Sequence, residues 1–184
     1  MALLGYKWDA LVSRLNARWQ SLLGLSAAAG VQVHPASLLR FGPGSSIGER
    51  SIVYRGVSIL ATGSGSFRLG RDSHIGAGGY LLVGGQRLVI GDDVAIGPGL
   101  MLFCESNAAA EAGLFRSQYD RADVRIGSNV FIGARVTILP GAEIADHVVI
   151  AAHSVVRGVL ASGFVYGGCP ARALRPLESE GGGA

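Results

Sequence analysis

Few side chains in this sequence are of the types that do acid–base, nucleophilic or metal chemistry. There are four histidines, His34, His74, His147 and His153, and two cysteines, Cys104 and Cys169. An imidazole with a pKa near ~6.5 suits a general base, and three converging histidines suit zinc. No metal site is expected from these four. A thiol attacks only as its thiolate, and nothing near Cys104 in sequence lowers its pKa, so a buried structural cysteine is expected there. Arginine, whose planar fork binds phosphate, occurs fifteen times against a single lysine. These cations give a net charge of +3 but are scattered rather than gathered into a stripe, which argues against nucleic acid.

The elements that would position these groups follow from a repeat. The chain has 29 glycines among its 184 residues, yet 49% of it is apolar, a pairing that a disordered glycine-rich chain lacks. Aliphatic residues recur every six positions in the series Ile126, Ile132, Ile138, Ile144, Ile150, Val156. A small residue usually follows, as in Gly127, Gly133, Ala145 and Ala151, and four positions on comes a small or β-branched one, as in Val130, Val136, Ala142, Val148 and Ser154. The same unit runs through Ile90, Ile96, Leu102, through Leu69, Ile75, Leu81 and, more faintly, through Ile47, Val53, Ile59. A period of six excludes an amphipathic helix and a hairpin meander. It predicts an all-β fold in which each coil contributes three short strands to three parallel sheets around a triangular prism. Five coils are legible and five to six are expected, with glycine at the corners to relieve crowding and tolerate the turn. In this frame His74 points outward from a face, and His147 and His153 lie near corners.

The flanks divide the chain into residues 1–30, a helix and linker; 31–166, the prism, with a loop insertion over 103–125; and 167–184, a tail that frays from Glu178. Trp8, Leu11, Val12, Leu15, Trp19, Leu22 and Leu23 share one helical face, Lys7, Asp9, Arg14, Asn16 and Arg18 lie elsewhere, and Gly24 ends the helix. The helix is expected to pack over the open end of the prism and cover its strand edges. The alternative is peripheral membrane contact through residues 1–24. No stretch is long and apolar enough to span a bilayer, and no secretory signal or disulfide framework is evident, so a cytoplasmic location, with or without contact at the inner membrane surface, is expected.

The stretch Ile126-Gly-Ser-Asn-Val-Phe-Ile-Gly-Ala-Arg-Val-Thr-Ile-Leu-Pro-Gly-Ala, continued by Ala151-Ala-His-Ser-Val-Val and ending Gly167-Gly-Cys-Pro-Ala-Arg, resembles the hexapeptide-repeat acyltransferases. The likeness is to the sugar O-acetyltransferases related to galactoside and maltose acetyltransferase, and it covers most of residues 45–176. It implies a left-handed parallel β-helix, a homotrimer, and acetyl-CoA as co-substrate in the groove between neighbouring prisms. Carried over by position, the cofactor contacts are Ala134, Ala152 and Arg157, with Arg172 and Arg175 near the CoA phosphates. The implied reaction is acyl transfer to a hydroxyl or amine of a sugar or saccharide intermediate, as in polysaccharide biosynthesis.

The chain departs from the family at the catalytic position. Counting back from the matched segment puts the family's loop histidine at Asn107, which cannot act as a base, and a polar acceptor-binding residue at a glycine near Gly79. Three readings follow. An acyltransferase would use Glu105 as base, or an amine acceptor needing little help, with Asn107 orienting the acceptor or donating to the oxyanion. A catalytically silent trimer would serve as a scaffold or partner subunit. A metal enzyme like the γ-class carbonic anhydrases, which share the prism, needs histidines in a spacing that these four do not have.

Overall fold

Every inward position of the six-residue repeat stacks on its equivalent in the next coil. On the first face the column Ile47, Leu69, Ile90, Ile126, Ile144, Leu160 pairs rung by rung. All six side chains are buried, and burial of each contributes on the order of 1.5–3 kcal/mol. The structure, a computed structural model, describes residues 2–108 and 113–177, with side chains from Trp8 onward. The prism's strands form three sheets of seven, eight and six members, and a fourth, two-stranded sheet stands outside it. Those at Gln32–Val33, Ile52–Val53, His74–Ile75, Ala95–Ile96, Val130–Ile132 and Val148–Ile150 make up most of the second face, and those from Leu38–Arg40 to Val155–Val156 the third. The architecture is the all-β, left-handed parallel β-helix expected from the repeat and the resemblance, with six coils and the start of a seventh.

The first coil was not legible as one. Ser26–Ala27 pairs in parallel with Ser46–Ile47, so the prism begins there and not at residue 31. Ala27, Val33 and Leu39 keep the six-residue spacing, but a coil opening on alanine carries a weak apolar signal. Spacing is also constant from first face to second to third. Length varies only at the corner from third back to first: Leu39 to Ile47, Ile59 to Leu69, Leu81 to Ile90 and Leu102 to Ile126. All insertions therefore leave the prism along a single edge.

The glycines after the aliphatic positions have a different cause from the one expected. None of Gly76, Gly97, Gly127 or Gly133 has a positive φ. A Cβ on Gly133 would lie 2.5 Å from the Ala152 nitrogen, and one on Gly127 2.6 Å from the Asp146 nitrogen, so the next coil leaves no room for a side chain. The left-handed backbone falls two residues later, and there it is carried by Arg50, Asp72, Asp93, Asn129, Arg135, His147 and His153 at some corners and by glycines such as Gly78 and Gly99 at others. In the lower coils the small inward position is serine. Ser51 Oγ donates to the Gly70 carbonyl at 2.6 Å and accepts from the Ser73 N–H at 3.0 Å, and the Ser73 hydroxyl repeats the pattern with Gly91 and Val94. Each buried hydroxyl is thereby satisfied.

The helix Ala2–Leu22 covers the first coil, but with the face opposite to the one expected. Ser13 and Ala17 are buried, and Asn16 Nδ2 donates to the Val33 carbonyl at 3.1 Å. Trp8, Leu11, Leu15, Trp19, Leu22 and Leu23 are all at least half exposed. The end of a β-prism presents peptide groups rather than an apolar groove, and small and polar side chains let the helix approach closely and pair with them. At the other end Phe164–Gly168 turns back and pairs antiparallel with Ala171–Pro176, so residues 167–176 extend the second face rather than forming a free tail. The expected fraying from Glu178 lies outside the described residues.

Candidate functional site

The insertion after Leu102 is a β-ribbon rather than an irregular loop. Glu105–Asn107 pairs antiparallel with Tyr119–Arg121, which puts Glu105 opposite Arg121 and Asn107 opposite Tyr119. Cys104 roots the ribbon: its N–H donates to the Leu82 carbonyl and its carbonyl accepts from the Ala122 N–H. Its thiol is fully buried, and burial pushes its pKa up to about 12, so it packs and does not attack.

Of the two ribbon residues singled out from sequence, Glu105 is paired with an arginine and Asn107 uses its donors within the ribbon. Arg121 Nε donates to Glu105 Oε2 at 3.3 Å, with the carboxylate side chain 25% exposed and the arginine 50%. The same guanidinium lies 4.4 Å from the centre of the Tyr119 ring. Asn107 Nδ2 donates to the carbonyls of Phe115, at 2.9 Å, and Gln118, at 3.4 Å, and so ties the ribbon's tip together. Donation by Asn107 to an oxyanion would require breaking these bonds. Arg121 was missed from sequence because its partner is sixteen residues away in a segment without a repeat.

Ala134 and Ala152 come together at the corner between second and third faces. The Ala134 carbonyl accepts from the His153 N–H at 2.9 Å, so the two alanines occupy the same corner of adjacent coils. Arg157 is exposed at the next corner of the last full coil, just after Val156. Arg172 and Arg175 are exposed on the outer strand of the C-terminal hairpin, across from Gly167 and Val165. Their Nη1 atoms reach only the neighbouring carbonyls of Ala171 and Pro176. Neither forms an ion pair among the described residues.

Within one chain the alanine corner and the ribbon stand on different edges, with the third face between them, whereas Arg157 lies on the ribbon's edge. Tyr80, Leu82, Met101 and Phe103 occupy outward positions on that face, and the rings of Tyr80 and Phe103 are 6.3 Å apart. Gly79 is corrected by this register. It is a buried inward position, with Ile75 Cγ2 at 3.3 Å from where a Cβ would lie, so no acceptor-binding side chain belongs there; the outward neighbour is Tyr80.

The histidines do not converge. His74 points outward beside Tyr54, ring centres 5.9 Å apart and edge-on, and burial lowers its pKa. His147 Nδ1 lies 3.0 Å from Asn129 Nδ2 at one corner, His153 turns another, and His34 Nδ1 accepts from the Ala36 N–H.

Residues 123–158 match the family model described as bacterial transferase hexapeptide (six repeats). The chain is 31% identical over 119 residues to galactoside O-acetyltransferase of Escherichia coli (strain K12), covering 62% of this chain and 59% of the relative. It is 42% identical over 57 residues to the putative lipopolysaccharide biosynthesis O-acetyl transferase WbbJ of the same organism, covering 31% and 29%. The matched region thus spans less than two thirds of either relative. Among solved structures, AntD, an N-acyltransferase from Bacillus cereus in complex with dTDP and 3-hydroxybutyryl-CoA, superposes with a TM-score of 0.75 at 21% identity over 88% of each chain, a likeness of fold. A hexapeptide-repeat-containing acetyltransferase from Vibrio cholerae O1 biovar eltor, complexed with acetyl coenzyme A, gives a TM-score of 0.57 at 25% identity over 82% of this chain and 73% of that one. Repeat, prism and sequence together identify the chain as a left-handed β-helical hexapeptide-repeat protein resembling the sugar O-acyltransferases of that fold.

Proposed function

We propose that this protein is an acyl-CoA-dependent transferase, with acetyl-CoA as co-substrate, that acylates a hydroxyl or amine of a saccharide. The observation that carries this reading is the half-buried Glu105 carboxylate at the root of the ribbon, in a chain whose relatives are named as acetyltransferases. Glu105 would take the acceptor's proton as its oxygen or nitrogen attacks the thioester carbon. The tetrahedral intermediate would then collapse with loss of the CoA thiolate, which takes up the proton. Ala134 and Ala152 would line the pantetheine arm, and Arg157, Arg172 and Arg175 would hold the CoA phosphates through paired N–H donors. A homotrimer would bring the ribbon of one prism against the alanine corner of its neighbour, and the apolar third face supports such packing.

Calorimetric titration with acetyl-CoA, followed by thioester-cleavage assays against a panel of sugars and amino sugars, tests this. Micromolar binding with acceptor-dependent cleavage is expected. Binding without turnover, together with activity gained by Asn107→His, would assign the silent scaffold instead. No binding of acetyl-CoA would end the transferase reading.

A further inference from the structure

We propose that the helix Ala2–Leu22 is a docking face for an anionic lipid bilayer and lies flat at its surface. The way the helix is seated leaves its apolar side open. It meets the first coil through Ser13 and Ala17, with Asn16 bonded to Val33, and these contacts use the side of small and polar residues. The opposite side carries Trp8, Leu11, Leu15, Trp19 and Leu22, which are between 50% and 80% exposed. Their spacing is that of one stripe along a helix. A continuous apolar stripe left open on a protein that has already closed its core marks a contact surface.

The charges beside the stripe decide its occupant. Arg14 and Arg18, one turn apart and both exposed, line one flank, and no acidic residue occurs from Ala10 to Leu25. A second copy of the same helix would set these arginines against each other across a symmetric contact. A bilayer with anionic headgroups meets the stripe and its flank together, its acyl boundary taking the leucines and its phosphates the guanidinium groups. Trp8 and Trp19, toward the two ends of the stripe, are of the residue type that settles at headgroup depth. No described helix is long and apolar enough to cross a membrane, so the contact is one of lying on the surface.

The test uses the whole chain. Trp8 and Trp19 are its only tryptophans, so emission excited selectively from tryptophan reports on this face alone. The protein is titrated with vesicles of phosphatidylcholine alone and with vesicles containing phosphatidylglycerol. The expected result is a blue shift and co-flotation with the phosphatidylglycerol vesicles, weakened by salt. Arg14→Gln/Arg18→Gln should lower the partition coefficient by roughly fivefold per arginine. Trp8→Ser/Trp19→Ser should abolish flotation without moving the thermal midpoint, because both side chains lie outside the core. Failure of the wild-type chain to partition into the anionic vesicles would overturn the proposal. So would a size-exclusion mass that rises with protein concentration and falls back in Trp8→Ser/Trp19→Ser, since the occupant would then be a second copy.

Discussion

The carboxylate of Glu105 rests on the bare Cα of Gly84 in the coil below: a Cβ there would stand 2.6 Å from Glu105 Cδ, and Gly84 has φ +59°. Glycine at 84 is therefore what allows Glu105 to fold back toward Arg121. If Glu105 is the base, Glu105→Gln should lower kcat by about 10²- to 10⁴-fold with little change in acetyl-CoA affinity. Gly84→Ala should lower it by tens of fold through displacement of the same carboxylate. Arg121→Gln should cost less than ~1 kcal/mol of stability, since the pair is partly solvated. Steady-state kinetics beside calorimetry separates these effects.

The stacking of coils predicts two kinds of glycine. Gly133→Ala puts a methyl against the backbone of Ala152 and should cost about 1–3 kcal/mol. Gly44→Ala meets nothing within 4 Å and pays only for its φ of +82°, on the order of 1 kcal/mol. Ile138→Ala, in the centre of the core, should cost about 2–5 kcal/mol. Urea denaturation curves rank the three.

Acid should weaken the protein through His74. Burial lowers its pKa below the ordinary 6.5, so the unfolded chain takes up the proton first as the pH falls. Stability is full above that ordinary value, declines as the pH drops through it, and levels off below the folded value. His74→Phe keeps an aromatic edge beside Tyr54 and should remove this part of the decline. Urea midpoints at pH about 7.5 and about 5.5, compared between wild type and variant, measure it.

The two cysteines should differ in reactivity. Cys104 is buried with its thiol pushed up to about 12, whereas Cys169 is exposed. An aromatic disulfide reagent should titrate one thiol in the native protein and both in denaturant. Rapid modification of both in native buffer would mean that the ribbon's root opens.

By itself the sequence determined the prism. Inward burial at six-residue spacing is a local property, so Ile126, Ile132, Ile138 and their equivalents could be assigned before any contact was known, and outward His74 followed from its place beside Ile75. The tertiary structure decided what depends on the neighbouring coil or the neighbouring element. It assigned the repeat glycines to crowding rather than to turning, because that crowding comes from a chain segment at least eighteen residues away. It paired Glu105 with Arg121, since a ribbon outside the repeat carries no periodic signal. It also turned the helix over. A sequence shows that a helix has an apolar side, but whether that side meets its own chain depends on the surface offered to it, and the end of a β-prism offers peptide groups that Asn16 can satisfy and Trp8 cannot.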